Sequence, residues 1–252
     1  MVVLDILAQI ATLARENGIP EPFIVGGLPR DKLLGRVSKT NDIDLTTGDD
    51  SIHKLADLCH RHFFRKFPNI NFRRFDDGHA QMQVGPLRLD FSSAYYSPNV
   101  EPLLSRAGVG DSTPMQQELF SRDFTCNTLL ATLNLREIKD LTGLAIPDIQ
   151  KKLLRTPLPP AVTLNNNVKR IARIPYLAAK LGFEVEPAII SWVRKNPEKI
   201  AQSKPGYVRG RLQKAMDEDP ERTIHLMNEM RLWRHAAIPE SMREHMGRFR
   251  HA

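Results

Sequence analysis

The sequence predicts an α+β protein, with a mixed sheet of about five strands followed by an all-helical region. Two observations support this prediction. Through residue 91, helical apolar spacing is mixed with short apolar or alternating segments that end at glycine or proline, the pattern of strands among helices. Beyond the prolines at 157, 159 and 160 only helical spacing remains. We therefore place a boundary there and predict domains of residues 1–157 and 158–252.

Composition indicates a folded protein of a reducing compartment. The chain has 252 residues, of which 41% are hydrophobic, enough to bury a core. It has only two cysteines, too few for a disulfide framework or a structural zinc site. Residues 1–17 are amphipathic but charged, unlike a signal peptide, and no stretch is long enough to cross a bilayer. We expect a cytoplasmic protein with no membrane partner.

The charge balance favours a polyanionic partner. The formal net charge is +7 and the pI is about 9.5, as in many nucleic-acid-binding proteins. A basic run is also the ordinary property of a solvated face. The excess lies in two regions, one within residues 61–74 and one towards the C-terminus: Arg61, Arg65, Lys66, Arg73, Arg74, Arg231, Arg234, Arg243, Arg248 and Arg250.

The first elements are a helix over residues 1–17 and a strand at residues 23–25. The strand ends at Gly26 and Gly27, and a helix carrying Arg30 and Asp31 follows. Glycines after a strand let backbone N–H groups approach an anion, and a helix N-terminus favours phosphate. Arg30 is a candidate to bind the same phosphate. A tight strand-to-helix turn explains the glycines equally well.

The second strand covers residues 42–45 and carries two acidic residues. Because side chains alternate along a strand, Asp42 and Asp44 share one face while Ile43 and Leu45 point into the core. Two neighbouring carboxylates repel each other unless a cation lies between them. Mg²⁺ commonly binds through one or two carboxylates together with substrate phosphates. Asp42 and Asp44 are therefore candidate metal ligands.

The remaining strands follow a helix over residues 51–64. We predict strands at 71–75, 80–84 and 87–91, separated by Asp-Gly and Gly-Pro turns. Asp90 lies on the last strand. It is a third carboxylate near the metal if that strand lies beside the Asp42 strand, and otherwise an edge-strand acid; both alternatives stay open. Residues 97–114, rich in Pro, Gly and Ser, predict a loop.

Helical character is predicted again from residue 121. Arg122, Asp123 and Asn127 then lie near a helix N-terminus, with Asp123 and Asn127 on one face, and helix capping is an alternative role for them. A turn and a short basic helix ending near Arg155 follow. The second domain begins with a helix over residues 165–181, with Pro175 as an expected kink, and continues with helices at 187–194, 208–217 and 220–232.

These segments, in this order, resemble the class II tRNA nucleotidyltransferases and bacterial poly(A) polymerases, of the polymerase-β-like nucleotidyltransferase superfamily. The resemblance covers most of the chain. It rests on GGLPRDKLLGR with NDIDLTT, then SRDFTCNTLL, DLTGLAIPDIQKKLLR, NNVKRIARIPYLAAKLGF and YVRGRLQKAM. It implies a nucleotidyltransferase head followed by an all-α neck domain, and a template-independent enzyme that extends RNA 3′ ends, most simply by adding C, A or both to tRNA.

The resemblance also implies roles for individual residues. Asp42 and Asp44 would hold two Mg²⁺ ions, with Mn²⁺ as a substitute, and would be catalytic together with Asp90. ATP and CTP would be the substrates and the tRNA 3′ end the partner. The implied nucleotide-binding residues are Gly26, Gly27, Arg30, Asp31, Arg122, Asp123, Asn127, Asn167, Arg170 and Arg173.

Three departures from the family pattern affect specificity. The Glu-Asp pair that reads the base is Asn166-Asn167 here, and an amide both accepts and donates hydrogen bonds, which predicts relaxed base selection. The R-x-E-x-Y segment is absent around residues 93–96. The family's body and tail are missing or minimal, so the basic segment 243–251 is a candidate for holding RNA.

Other functions remain compatible with these motifs. A poly(A) polymerase uses the same head. A catalytically idle homologue that binds RNA or nucleotide is the alternative of a different class, although it would have little reason to keep two acids that repel each other. A related head that modifies a small molecule or a protein is a third alternative. The sequence does not indicate the oligomeric state.

Overall fold

The computed structural model describes residues 2–36, 41–67, 70–76, 78–93 and 96–243, and it confirms the predicted α+β class. The described chain divides into two compact units. The first holds residues 2–122 and 126–145, and the second holds 123–125 and 146–243. This division falls earlier in the chain than residue 157. The functional domains 1–157 and 158–252 stay a prediction.

The first unit is built on a mixed sheet of seven strands. In chain order these are β1 (Phe23–Val25), β2 (Asp42–Thr46), β3 (Asn71–Arg74), β4 (Ala80–Val84), β5 (Leu87–Phe91), β6 (Leu130–Thr132) and β7 (Ile138–Lys139). Their order across the sheet is β3-β4-β5-β2-β1-β6-β7. β2 and β5 run parallel and the other neighbours run antiparallel. β2 and β1 therefore lie in the interior of the sheet.

Five helices belong to the first unit: α1 (Val2–Glu16), α2 (Gly27–Leu33), α3 (Ser51–Phe64), α4 (Val100–Arg106) and α5 (Pro114–Phe120). α1 and α3 bury their apolar faces in one core with residues of the sheet, including Ile43 and Leu45 of β2. A smaller cluster joins Leu119 of α5 to Val25 and Leu130 of the sheet. Alternation along β2 therefore places Asp42 and Asp44 on the face opposite α1 and α3.

Two predictions for this unit are wrong. The sheet has seven strands instead of about five, because residues 128–135, predicted as helix, contain β6, and the unpredicted two-residue strand β7 pairs with it. Leu129, Leu130 and Ala131 are all fully buried, and a short apolar run buried on both sides does not distinguish helix from strand. The predicted loop 97–114 contains α4. The segment 97–114 then leads into α5, whose N-terminus has a capping box formed by Thr113 and Gln116.

The second unit is mainly helical, as predicted. Its helices are α6 (Ala145–Gln150, apart from its first residue), α7 (Pro160–Asn166), α8 (Lys169–Leu181), α9 (Pro187–Lys195), α10 (Pro205–Glu218) and α11 (Pro220–Glu229), with a 3₁₀ helix at Pro197–Gln202. Two short strands, β8 (Leu153–Leu154) and β9 (Glu184–Val185), pair in parallel. The unit is therefore not entirely helical.

The predicted helix over residues 165–181 is two helices. α7 ends at Asn166, Asn167 adopts an extended conformation with φ −150° and ψ 99°, and α8 begins at Lys169. The Asn167 Oδ1 atom accepts the backbone N–H of Lys169 at 3.1 Å. Asparagine side chains commonly compete with helical hydrogen bonds in this way, which accounts for the break. Pro175 lies inside α8, and the kink expected there stays a prediction.

None of the helices in the described ranges combines the length and apolar character needed to span a membrane.

The position of α1 on the sheet leads to a stability prediction. Leu7 is fully buried, whereas Leu4, on the same helix, is 50% exposed. We expect Leu7→Ala to lower the free energy of unfolding by about 2–5 kcal/mol, because it leaves a cavity in the core. Leu4→Ala removes the same atoms and should change it by less than about 0.5 kcal/mol. Urea unfolding of both variants measures the difference, and equal losses would contradict this packing.

Candidate active site

The two acidic residues of β2 lie on the same, open face of the sheet. Asp42 and Asp44 are exposed while Ile43 and Leu45 are buried, so the predicted alternation is confirmed. Asp42 Oδ2 lies 3.2 Å from Arg88 Nη2, and about half of each side chain is exposed. Arg88 neighbours Asp42 because β2 and β5 are parallel, a pairing that sequence reasoning left open.

Asp90 lies beside Asp44 in this parallel pair. The Cα atoms of Asp44 and Asp90 are register partners, so β5 does lie next to the Asp42 strand. Gln81 of β4 donates from Nε2 to Asp90 Oδ2 at 2.8 Å. Among the described residues, no group of three or more His, Cys, Asp and Glu side chains is arranged to hold a metal ion. A catalytic role for Asp90 stays a prediction.

Gly26 is required where the chain passes the Asp44 carboxylate. Its φ of 87° and ψ of −125° lie in a region that favours glycine. A Cβ atom added there would lie 3.1 Å from Asp44 Oδ2 and 3.9 Å from Arg122 Nη1. The absence of a side chain therefore allows an anionic and a cationic group to lie next to the backbone. Gly27 opens α2, and an added Cβ would meet Arg30 Nη2 at an ordinary 3.5 Å.

Arg30 and Asp31 form a buried ion pair. Arg30 is 3% exposed, and its Nη2 lies 2.7 Å from Asp31 Oδ1. Its Nη1 donates to Asn127 Oδ1 at 2.6 Å. These contacts link α2 to the segment before β6, and they turn Arg30 inwards. They support a structural role for the three residues, and their predicted contact with nucleotide stays a prediction.

Arg122 is held by a buried carboxylate that sequence reasoning did not single out. Glu118 is 3% exposed, and its Oε1 lies 2.9 Å from Arg122 Nη2. Its Oε2 accepts the hydroxyl of Thr46, at the end of β2, at 2.7 Å. Thr46 Oγ1 is also 2.6 Å from Ser93 Oγ. The sequence did contain a signal for this ion pair, because Glu118 and Arg122 are four residues apart in a helical segment.

Tyr96 contributes a hydroxyl to the loop after β2. Its hydroxyl donates to the carbonyl oxygen of Gly48 at 2.8 Å. Burial raises the pKa of Tyr96, and the negative charge of Glu118 raises it further, with smaller effects from Asp49 and Asp50. The side chain therefore remains a hydrogen-bond donor at and above neutral pH. The R-x-E-x-Y segment is absent from the sequence around residues 93–96, and two of these residues, Ala94 and Tyr95, lie outside the described residues.

Asp123 belongs to the second unit, although it follows Arg122 directly. Its Oδ2 lies 2.7 Å from Arg173 Nε, and its Oδ1 accepts the backbone N–H of Phe124 at 2.8 Å. The predicted helix that would place Asp123 and Asn127 on one face is not formed. Instead, a 3₁₀ helix covers Thr125–Asn127, and Asn127 belongs to the first unit.

The junction of α7 and α8 positions the other predicted residues. Arg170 Nη1 donates to the carbonyl oxygen of Thr163 at 3.0 Å. Asn167 is exposed, and its Oδ1 atom accepts the backbone N–H of Lys169, the first residue of α8. Arg170 is thus fixed against the end of α7, while the Asn167 side chain lies at the surface. Nucleotide contacts from both stay a prediction.

Curated relatives are similar to this chain over about two thirds of its length. An A-adding tRNA nucleotidyltransferase of Aquifex aeolicus is 28% identical over 65% of this chain and 19% of its own. The tRNA nucleotidyltransferase cca2 of Schizosaccharomyces pombe is 25% identical over 69% of this chain and 38% of its own. This chain therefore corresponds to well under half of either relative.

Solved structures share the fold. The Thermotoga maritima CCA-adding enzyme, solved with tRNA, superposes with a TM-score of 0.70 at 21% identity, over 92% of this chain and 51% of that one. A chain described as a tRNA-processing enzyme superposes with a TM-score of 0.66 at 25% identity, over 90% of this chain and 56% of that one.

The family comparison covers the sheet and the segments that carry its acidic residues. The model of the poly A polymerase head domain matches residues 22–155, which contain β1 through β8. These residues include Gly26, Asp42, Asp44 and Arg122, whose arrangement is described above. The chain therefore belongs to the poly A polymerase head-domain family, which includes the class II tRNA nucleotidyltransferases.

Proposed function

We propose that this protein is a template-independent RNA 3′-end nucleotidyltransferase that adds C, A or both to the 3′ ends of tRNA. The observation that carries the proposal is the placement of Asp42 and Asp44. They lie exposed on one face of β2, with Gly26 and Arg122 beside Asp44. Family membership and the names of the curated relatives support the same activity. ATP and CTP are the proposed substrates.

A divalent metal is the cofactor that the family suggests, and we propose two Mg²⁺ ions, with Mn²⁺ as a substitute. The residues fit such ions. Asp42 and Asp44 offer hard oxygen ligands, and the lack of a Cβ atom at Gly26 leaves room beside the Asp44 carboxylate. When bound, the ions would supply charge neutralisation at the attacking hydroxyl and at the leaving pyrophosphate. The remaining ligands would come from substrate phosphates and water, in keeping with a site of few protein carboxylates.

The protein's own groups would bind and orient the substrates. The Arg122 guanidinium would bind the triphosphate, since it is held beside Gly26 by Glu118. The Gly26 and Gly27 backbone would allow close approach of the phosphates. Asp90, beside Asp44 in the sheet, would support the catalytic carboxylates. Arg30, Asp31 and Asn127 would act through the buried network that positions α2.

In the second unit, we propose that Asn167, Arg170 and Arg173 read the incoming base, with Asp123 at the sugar. The exposed position of Asn167 and the fixed position of Arg170 support this assignment. Because an amide accepts and donates, Asn167 can pair with C or A through Oδ1 and with U or G through Nδ2. Base selection would then be weaker than in a protein with a carboxylate at this position.

A poly(A) polymerase is the second candidate function. It is carried because the match to the poly A polymerase head domain does not distinguish the two activities. Incubation with tRNAs lacking A, CA or CCA, and with an unstructured RNA, each with one NTP at a time, separates them. Addition that stops after one to three nucleotides on tRNA alone supports tRNA end addition. Long A tracts on unstructured RNA support the poly(A) alternative.

We also propose a cytoplasmic location. It is supported by Cys59 and Cys126, both of which lie within the described residues, are buried and form no disulfide.

The carboxylates of β2 provide the main test of the proposed activity. We expect Asp42→Ala and Asp44→Ala each to lower transfer of labelled NTP to RNA at least about a hundredfold, because each removes a metal ligand. Asp50→Ala removes a side chain that is 87% exposed and should leave transfer unchanged. Transfer that survives both substitutions would contradict the mechanism. Absence of transfer in the parent protein would favour the idle homologue.

The buried Glu118 should control the position of Arg122. Glu118→Gln keeps the shape but removes the negative charge, so we expect the KM for NTP to rise about tenfold, with a smaller change in kcat. The melting temperature should fall by a few degrees, since the Arg122 charge loses its partner. Glu101→Gln, on the exposed side of α4, is the matched control and should change neither quantity. An unchanged KM and kcat in Glu118→Gln would contradict the proposed role of Arg122 in binding the triphosphate.

Asn167→Asp should sharpen base selection. An aspartate keeps the oxygen that caps α8 at Lys169 but cannot donate to U or G. We expect the preference for CTP and ATP over UTP and GTP to rise about tenfold in competition assays. Asn165→Asp adds the same charge at an exposed position on α7 and should leave the preference unchanged. An equal effect of the two variants would point to charge alone.

A further inference from the structure

A cavity of about 380 Å³ lies after the end of α11 in the second unit. It is lined by Pro197, Asn228, Arg231, Trp233, Arg234 and His235. None of these residues belongs to the site described above. We refer to this cavity as the Arg231 pocket. Its volume falls within the range that proteins use for small ligands.

The Arg231 pocket carries unpaired positive charge. The Arg231 and Arg234 side chains are exposed, and within the described residues neither forms a hydrogen bond or an ion pair, nor does the side chain of His235. Two arginine side chains that line one cavity give it a positive potential, which favours an anion there. Guanidinium groups bind phosphate through two hydrogen bonds at once, which makes a phosphate the best-matched anion.

Arg231 lies directly after the end of α11, at a backbone position where glycine is the usual residue. α11 ends at Glu229, Met230 is its C-cap, and Arg231 follows with φ 57°, in the left-handed region. Glycine is the usual residue directly after a C-cap, because a Cβ atom is unfavourable in this conformation. An arginine therefore stands where folding would select a smaller residue.

Trp233 supplies an aromatic wall. Its indole is half-buried, and its Nε1 donates to Asn228 Oδ1, which fixes the orientation of the ring. An indole positioned beside cationic groups is the arrangement with which proteins stack a nucleic-acid base while binding its phosphate. Fixing the ring in advance lowers the entropy cost of that stacking.

We propose that the Arg231 pocket binds one nucleotide of a single-stranded RNA segment, with its phosphate on Arg231 and Arg234 and its base against Trp233. The chain's net charge of +7 favours such a polyanion over a neutral ligand. The proposal rests on the proposed function in naming RNA as the source of the nucleotide. The pocket would act as an anchor for the RNA substrate, separate from the transfer chemistry.

Arg231→Gly and Lys152→Gly form a matched pair of variants for the test. Lys152 also lies in the second unit and in the left-handed region, with φ 51°, and its side chain is exposed. Each substitution removes one positive charge and replaces a side chain at positive φ by glycine. Neither should lower the melting temperature, because glycine is the favoured residue in this conformation. The two variants therefore differ in whether the lost charge lined the pocket.

Binding is measured by anisotropy of a short fluorescein-labelled single-stranded RNA, without NTP or divalent ions. We expect Arg231→Gly and the exposed Arg234→Gln each to weaken binding about tenfold, and Lys152→Gly to leave it within about twofold. The slope of log K against log salt should also fall by about 0.7 for Arg231→Gly. Equal binding by Arg231→Gly and Lys152→Gly would overturn the proposal. So would a lower melting temperature of Arg231→Gly alone, since Arg231 would then stabilise the fold.

Tryptophan fluorescence tests the stacking contact. The chain has two tryptophans, so Trp192→Phe leaves Trp233 as the only reporter. We expect RNA to quench this signal, and Arg231→Gly to need about tenfold more RNA for half quenching. Inorganic phosphate should compete without quenching. RNA that binds without quenching Trp233 would overturn the base contact.

Competition with AMP distinguishes the two sources of a nucleotide. If Arg231→Gly weakens AMP binding while RNA binding is unchanged, the pocket takes a free nucleotide and the RNA anchor is wrong. Because no transfer reaction is involved, failure of the proposed enzyme activity does not alter these readouts. Conversely, if the enzyme is active but Arg231→Gly does not weaken RNA binding, the proposed function stands and the Arg231 pocket proposal is wrong.

Discussion

The buried carboxylate of Glu118 is the interaction on which the candidate active site depends. One of its oxygens binds Arg122 and the other accepts the hydroxyl of Thr46, at the end of the strand that carries Asp42 and Asp44. A buried charge is costly unless each of its oxygens is paired, and here both are. The same pairing holds the Arg122 guanidinium close to the Gly26 backbone, which the Asp44 carboxylate also approaches. Folding and the placement of charge in the site thus rely on one residue.

Two residues with positive φ, Gly26 and Arg231, lie where ligands are proposed to bind. Gly26 adopts a conformation that favours glycine next to the Asp44 carboxylate, and Arg231 adopts a left-handed conformation at the end of a helix. In the first case the sequence uses the permissive residue, because a side chain would meet Asp44. In the second it keeps an arginine despite the cost, which is consistent with a role for the guanidinium itself.

The helices and strands whose apolar residues recur at a clear helical or alternating spacing were predictable. Segments that are apolar on every side were not. α1, α3 and the strands of the Asp42 region follow from helical spacing or alternation, because one face of each is buried and the other is solvated. β6 was predicted as helix because it is apolar on both sides. The break at Asn167 was missed because it depends on one side-chain hydrogen bond that competes with the helix.

That Asp42 and Asp44 share a face follows from the sequence, since alternation is a local property of a strand. The sequence also indicated the family, through motifs whose order is visible in the chain. Only the tertiary structure decided that Asp90 lies beside Asp44, that Arg30 is turned into a buried ion pair, and that Glu118 holds Arg122. The position of Asp90 depends on strand order, and the burial of Arg30 and Glu118 depends on their contacts with Asn127 and Thr46, which are distant in sequence. Such contacts leave no periodic signal, because each depends on how separate elements pack together.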